Sequence, residues 1–114
     1  MITVLLGLAL VCFDGECHPA LVGSRTPTGI YEPTIRLVED PLYGGSVLQF
    51  HETETEVYAF HKIWNGKPSE RREWAIRQSD PKIRTLTNGC INLEPSVYLR
   101  MLSCCANQTI RIGR

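Results

Sequence analysis

The residues best suited to chemistry are a cysteine in a polar turn and a histidine upstream of it. Cys90 lies in the segment 87–93, TNGCINL, and His61 ends an apolar run. Gly89 allows a tight backbone turn that presents amide groups, and Asn92 adds a polar side chain beside the thiol. A thiol is largely protonated at neutral pH, so it needs a base to act as a nucleophile. The pattern predicts Cys90 as nucleophile and His61 as base; the alternative is a buried, unreactive cysteine.

Alternating apolar residues predict that strands dominate the first half of the chain. Turn residues separate these strands, as in Thr26-Pro27-Thr28-Gly29 and Asp40-Pro41. In the last strand Val57, Ala59 and His61 share one face, which places the histidine at the core edge or at the rim. The candidate strands are Ala20–Val22, Ile30–Tyr31, Thr34–Val38, Ser46–Phe50 and Glu56–His61.

Two helices and a closing strand are predicted in the second half. Ser69–Arg77 has the pattern of a short amphipathic helix. Asn92–Cys105 is predicted as the second helix, with Asn92 or Glu94 as its N-terminal cap. Gln108–Ile112 alternates polar and apolar residues, which is typical of a strand.

Length and composition limit the function classes. The chain of 114 residues is expected to form a single domain, 1–114, with one hydrophobic core. Its 12 basic and 12 acidic residues cancel, which argues against a nucleic-acid partner. The apolar segment Met1–Phe13 is too short for a membrane span, which needs about 20 apolar residues. It also lacks the basic start of a signal peptide, so it is interpreted as a buried strand.

The five cysteines indicate an oxidising compartment, and their odd number leaves at least one thiol unpaired, with Cys90 as a candidate. Asp14-Gly15 is a strong hairpin signal that would place Cys12 opposite Cys17. That pair is interpreted either as a disulfide or as two reduced cysteines. The adjacent residues Cys104-Cys105 point in different directions on a helix, so at most one of them is expected to be buried.

Four segments in order carry a resemblance to a known family. They are Thr26–Tyr31 (TPTGIY), His61, Glu70–Arg72 (ERR) and Arg84–Leu93 (RTLTNGCINL). This set resembles the L,D-transpeptidase catalytic domain, also called the YkuD-type domain, over roughly residues 10–112. The resemblance implies a mostly β fold, a β-sandwich or capped barrel with one or two short helices. It also implies that the cysteine loop and the histidine lie at one end of a groove.

The resemblance implies a cysteine acyltransferase that acts on peptidoglycan stem peptides. Cys90 would form a thioester with a tetrapeptide stem, and an amine of another stem would take the acyl group to make a 3→3 cross-link. Water as the acceptor would give an L,D-carboxypeptidase or a wall-degrading hydrolase instead. The implied location is periplasmic or cell-wall-associated, and the sequence leaves the oligomeric state open. No cofactor is implied, and the spacings of His18, His51 and His61 match no recognisable metal site.

Supporting roles follow from residue types near the cysteine. The backbone amides around Gly89 and Cys90 are predicted oxyanion donors. Arg84 is predicted either to hold a substrate carboxylate or to form a salt bridge with the helix at 70–73. Asn92 is a candidate for substrate contact, helix capping or bracing of the cysteine loop. Thr87 and Asn88 are also predicted to bind substrate. Three aromatic residues are interpreted either as lining the groove or as core or rim packing: Tyr31, Trp64 and Trp74.

The sequence departs from the family pattern at one position of the motif. Family members commonly have Ser or Thr, then His, then Gly-Cys, whereas Asn88 stands here in place of that histidine. An amide can form hydrogen bonds but cannot carry a proton at neutral pH. Two other classes therefore remain open: a noncatalytic peptidoglycan-binding module, and a small disulfide-rich secreted protein in which Cys90 is bridged.

Overall fold

Two β-sheets and two helices make up the chain, and a computed structural model describes them for residues 1–114. The strands are β1 (Ile2–Leu5), β2 (Leu10–Phe13), β3 (Glu16–Pro19), β4 (Gly29–Tyr31), β5 (Thr34–Leu37), β6 (Ser46–Glu52), β7 (Val57–Lys62), β8 (Ile91–Leu93) and β9 (Ile110–Gly113). The helices are α1 (Arg72–Ala75) and α2 (Pro95–Cys105). The predicted fold class, mostly β with short helices, is confirmed.

The first sheet has the strand order β3-β2-β1-β9-β4, and the second has the order β5-β6-β7-β8. β8 runs parallel to β7, and His61 is level with Asn92. Since side chains alternate along a strand, the position two before Asn92 belongs to the same face as His61. That position is Cys90, one residue before β8 begins. The parallel pairing therefore brings the predicted nucleophile and base to one face of the second sheet.

The main hydrophobic core joins both sheets to α2. Val4 and Val11 from the first sheet and Phe60 from the second belong to one buried cluster. α2 contributes Tyr98 and Met101, which are almost fully buried. This close-packed core includes Phe60 of β7, so it fixes the position of the strand that carries His61.

Four predicted elements differ from those observed. The predicted strand Ala20–Val22 forms only two isolated bridges, Leu21 with Asn92 and Val22 with Thr85. Met1–Phe13 forms two antiparallel strands instead of one, because the chain turns after Leu5 and Ala9 adopts a left-handed φ of 49°. The predicted helix at 69–77 contains only the four-residue α1, because Arg71 also has a φ of 49° and breaks it. Asn92 lies in β8, which pairs with β7, so the second helix begins only at Pro95.

Neither helix has the length and apolarity that a membrane span requires.

The hairpin of β2 and β3 pairs Cys12 with Cys17 as predicted, and the two residues form a disulfide. Cys104 and Cys105 are also joined, and of these two only Cys105 is buried, as expected. Cys90 is therefore the one free cysteine.

Removing the hairpin disulfide is expected to lower the free energy of unfolding without affecting the cavity described below. The double variant Cys12→Ala/Cys17→Ala reopens a loop with a sequence separation of 5. Loop-closure entropy for so short a loop predicts a loss of about 2 kcal/mol. Denaturant unfolding of the variant and the parent measures it. An unchanged midpoint would mean that the hairpin is already ordered in the unfolded chain.

Candidate active site

The cysteine loop, residues 87–90, is held by its own side chains and by a neighbouring segment. Thr87 Oγ1 accepts a hydrogen bond from the Gly89 amide at 3.1 Å and donates one to the Cys90 carbonyl at 2.6 Å. Thr26 Oγ1 donates to the Gly89 carbonyl at 2.8 Å. Gly89 has a φ of +137°, which a side chain would strain. The loop therefore presents Cys90 in a fixed backbone conformation.

Gly23 lies directly against this loop. A Cβ atom added at Gly23 would collide with the Thr87 carbonyl oxygen and would lie 2.7 Å from the Gly89 nitrogen. The amides of Leu86 and Thr87 both donate to the Val22 carbonyl, at 2.8 and 3.0 Å. The absence of a side chain at Gly23 is what allows the two backbones to approach so closely.

His61 is a neutral imidazole with a fixed tautomer. Its Nδ1 lies 2.6 Å from the Lys62 carbonyl oxygen, which can only accept, so Nδ1 carries the proton and donates it. Nε2 is left with a free lone pair. Burial lowers the pKa of His61 to about 4, and the positive charge of Arg72 acts in the same direction. The ring of Tyr43 packs edge-on against the imidazole at 4.8 Å, which fixes its orientation.

Cys90 is a protonated thiol at rest. Its Sγ donates to the Val57 carbonyl at 3.6 Å. Burial raises the pKa of the thiol; a hydrogen bond with the Ala59 backbone and the charge of Arg72 partly oppose this effect, while Glu56 adds to it. At neutral pH these two residues therefore rest as a thiol and a neutral imidazole.

Cys90 and His61 line two adjoining cavities. The charged cavity has a volume of about 240 Å³. The apolar cavity, of about 450 Å³, is bordered by Leu37, Val38 and Val47 and shares Cys90 and His61 with the first. The side chains of the charged cavity are Tyr43, Glu56, Val57, Tyr58, His61, Trp64, Arg72, Thr87, Asn88 and Cys90. An extended ligand could occupy both cavities and pass the thiol.

Solved structures resemble this arrangement of strands and helices, although no family model and no curated protein sequence matches significantly. An L,D-transpeptidase from Stackebrandtia nassauensis matches with a TM-score of 0.56 at 14% identity, over 99% of this chain and 54% of that one. An L,D-transpeptidase from Mycobacterium smegmatis has a TM-score of 0.55 at 17% identity, over 99% and 58%. Mycobacterium tuberculosis L,D-transpeptidase 1 has a TM-score of 0.52 at 16% identity, over 98% and 60%.

The chain has the L,D-transpeptidase fold. It covers between 54% and 60% of the length of these three solved structures. Sequence identity this low establishes a shared architecture, whereas the reaction has to be argued from the site. Within the L,D-transpeptidase fold, Cys90, His61, Thr87 and Asn88 lie together at the charged cavity, and Gly89 shapes the loop between them.

Arg72 is a residue of this cavity that the sequence did not single out. Arg72 is only 8% exposed, although it follows two charged residues, Glu70 and Arg71, in the predicted amphipathic helix. Glu70 Oε1 contacts its Nε at 3.2 Å and its Nη2 at 3.1 Å, and Asn92 Oδ1 accepts from its Nη1 at 3.0 Å. Its guanidinium also stacks over Trp64 at 4.9 Å. The only sequence signal was the Glu-Arg-Arg segment of the family resemblance.

Asn92 and Arg84 lie outside the cavity, contrary to their predicted contacts with substrate. Asn92 is fully buried, and its Oδ1 accepts from Arg72 and, at 3.1 Å, from the Trp64 amide. The Arg84 guanidinium donates to the carbonyls of Leu8, Ala9 and Gln78 and forms no salt bridge with the segment 70–73. The Arg84 N–H groups that were predicted to bind a substrate carboxylate therefore donate to backbone carbonyl oxygens instead.

The three aromatic residues for which groove lining or packing was predicted fall into two groups. Trp64 lines the charged cavity, next to Arg72. Tyr31 instead donates its hydroxyl to the Thr28 carbonyl at 2.6 Å and packs against Phe50, so it is absent from both cavities. Trp74 is 40% exposed on a separate surface, under the Arg71 guanidinium. The structure contains no cluster of three metal-ligating side chains.

Proposed function

We propose that this chain is a cysteine acyltransferase that acts on peptidoglycan stem peptides, with residues 1–114 as its catalytic domain. The observation that carries the proposal is that the one free thiol, Cys90, and a neutral imidazole, His61, line the same cavity. The fold of known L,D-transpeptidases supports the substrate class. A periplasmic or wall-associated location would follow from that substrate, and the two disulfides fit an oxidising compartment.

The first chemical step would form a thioester. His61 Nε2 takes the proton of Cys90 while the sulfur attacks the carbonyl carbon between the diamino residue and the terminal D-Ala of the stem. The carbon–nitrogen bond then breaks, and the D-Ala nitrogen leaves with the proton from His61. An amine of a second stem, or water, attacks the thioester and releases the thiol. The first acceptor gives a cross-link and the second a trimmed stem.

Charge on the carbonyl oxygen in this step would be stabilised by the amide of Cys90 itself. The Gly89 amide was an expected donor, but Thr87 Oγ1 already accepts from it. A preorganised backbone donor acts without reorganisation at the moment of reaction. The positive charge of Arg72 in the same cavity favours the ionised forms of sulfur and oxygen on this path.

The test is incubation with disaccharide-tetrapeptide fragments, followed by mass measurement of intact protein and products. The parent is expected to lose D-Ala from the stem and to carry an acyl adduct, whereas Cys90→Ala is expected to show neither. Cys12→Ala/Cys17→Ala is the matched control, because it removes cysteines remote from the cavity and keeps Cys90. Dimeric or tripeptide products identify the acceptor. An adduct on Cys90→Ala, or none on a folded parent, would contradict the proposal.

A noncatalytic peptidoglycan-binding module is the second candidate. It is favoured by the raised pKa of Cys90, which burial causes and which makes the resting thiol a weak nucleophile. Asn88, in place of the family histidine, also favours this candidate because an amide does not gain or lose a proton at neutral pH. The same incubation separates the two functions, since a binding module would retain stem peptides without adduct or product.

A further inference from the structure

The second disulfide of the chain joins two neighbouring residues at the end of α2. Cys104 and Cys105 are the last two residues of this helix, and their sequence separation is 1. Adjacent side chains on a helix do not face each other, so the helical backbone does not favour this bond. The bond also encloses no chain segment, so loop-closure entropy gives it less stability than it gives the hairpin disulfide. Stability alone therefore does not account for this disulfide.

The two sulfur atoms have opposite surroundings. Cys105 belongs to the main hydrophobic core and is only 1% exposed. Cys104 is exposed and borders a surface cavity of about 470 Å³. This cavity lies between the end of α2 and Ile35 of the edge strand β5, and none of its residues lines either cavity at Cys90. Small molecules therefore reach the disulfide from the Cys104 side.

The orientation of the bond decides which sulfur a thiol attacks. In thiol–disulfide exchange a thiolate approaches one sulfur in line with its bond to the other sulfur. At Cys104 this approach comes from the cavity, whereas at Cys105 it would pass through the close-packed core. The volume of the cavity suits a small-molecule ligand. We infer that Cys104 is a modification site, at which a low-molecular-weight thiol opens the disulfide and forms a mixed disulfide.

The exchange balances without a separate oxidant or reductant. The incoming thiol first loses its proton to solvent, and its sulfur then forms a bond to the sulfur of Cys104. The bond between Cys104 and Cys105 breaks at the same time, and its electron pair goes to the Cys105 sulfur. That sulfur takes a proton from solvent. The incoming thiol is thus oxidised to the mixed disulfide, and Cys105 is reduced to a thiol.

The surroundings of Cys105 favour persistence of the mixed disulfide. A free cysteine behaves as a small hydrophobic residue, so the core retains the Cys105 thiol without repacking. A buried thiolate is unfavourable, so Cys105 attacks the mixed disulfide slowly. In the hairpin, Cys12 and Cys17 lie opposite each other and neither is fully buried, which favours closure of that disulfide again. The mixed disulfide is therefore expected to accumulate at Cys104 and not at the hairpin.

The test uses the folded Cys90→Ala protein, in which the free thiol cannot compete. Samples are incubated with reduced glutathione, a peptide thiol, and are quenched with acid for intact-mass measurement and peptide mapping. One glutathione per chain is expected, at Cys104. In parallel samples, the new thiol of Cys105 should react with iodoacetamide only after denaturation. Half-modification should need a thiol concentration at least about 5-fold lower than opening of the hairpin disulfide does.

Four results would overturn the inference. The first is glutathione at the hairpin before it is found at Cys104, and the second is glutathione on Cys105. The third is the absence of any adduct at thiol concentrations that open the hairpin. The fourth is full reduction of Cys104 and Cys105 at all time points without an adduct, because the mixed disulfide would then not persist.

Three variants in the Cys90→Ala background locate the reaction. Cys12→Ala/Cys17→Ala should keep the adduct, because it removes only the hairpin pair. Ile35→Glu places a negative charge at the cavity, so it should slow attack by an anionic thiolate at least about 3-fold. Ile30→Glu is its matched control, since Ile30 is 69% exposed on β4 and does not line the cavity. An unchanged rate in folded Ile35→Glu protein would overturn the cavity as the route of approach.

Discussion

Replacing His61 with glutamine is expected to slow thioester formation by about 10²- to 10⁴-fold, the usual contribution of a positioned general base. Glutamine can still donate to the Lys62 carbonyl, so the substitution removes the base and keeps a side chain of similar reach. The raised pKa of Cys90 makes the loss large, because the thiol does not ionise unaided at neutral pH. Single-turnover rates of adduct formation at pH 7 measure the effect.

The pH dependence of the same rate gives an independent check. Because the pKa of His61 is lowered to about 4, its imidazole stays neutral well below pH 6.5, the ordinary histidine value. The parent rate should therefore hold its value from pH 7 to about pH 5 and fall only as His61 gains a proton near pH 4. In His61→Gln this acidic fall should vanish, and the rate should rise with pH as the thiolate of Cys90 forms.

Two results would contradict the assignment of His61. One is a rate in His61→Gln equal to that of the parent at pH 7, with both proteins folded. The other is a fall centred near pH 6.5 in the parent, because that would place the titrating imidazole in solvent. His51 provides the matched control: it is a half-buried histidine on β6 that contacts neither cavity, and His51→Gln should leave rate and pH profile unchanged.

The presence of Cys90 and His61 at one cavity could be predicted because the local structure around each residue depends on its sequence neighbours. The turn around Gly89 follows from the residues on either side of it, and the face of His61 follows from alternation along β7. Strand pairing then brings the two together. Arg72 could not be predicted in the same way, because its burial depends on Trp64 and Asn92, which lie elsewhere in the sequence.

The errors at Asn92 and in the N-terminal segment have a related cause. Asparagine is a common helix cap and Pro95 suits a first helical turn, but pairing with β7 and a bridge to Leu21 place Asn92 inside the sheet. The segment Met1–Phe13 is apolar almost throughout, so periodicity could not locate the turn that separates β1 from β2. In both cases tertiary contacts overrode the local preference.

Substituting alanine for Gly23 is expected to lower both stability and activity, although Gly23 contacts no ligand. The new Cβ would collide with the Thr87 carbonyl oxygen and approach the Gly89 nitrogen to 2.7 Å, and both are backbone atoms that cannot rotate away. Overpacking of this kind typically costs about 1–3 kcal/mol of unfolding free energy. The strain is relieved by moving the cysteine loop, and a shift of about 1 Å at a nucleophile can slow the reaction about 100-fold.

Gly113→Ala is the matched control for Gly23→Ala, because a Cβ at Gly113 would meet no atom within 4 Å. It should leave the rate of adduct formation and the unfolding midpoint close to those of the parent. For Gly23→Ala, the informative measurement is the rate in a preparation shown to be folded by its unfolding transition. A folded Gly23→Ala protein with the parent rate would mean that the backbone around residue 23 shifts and the cysteine loop does not. The position of Cys90 would then not depend on this contact.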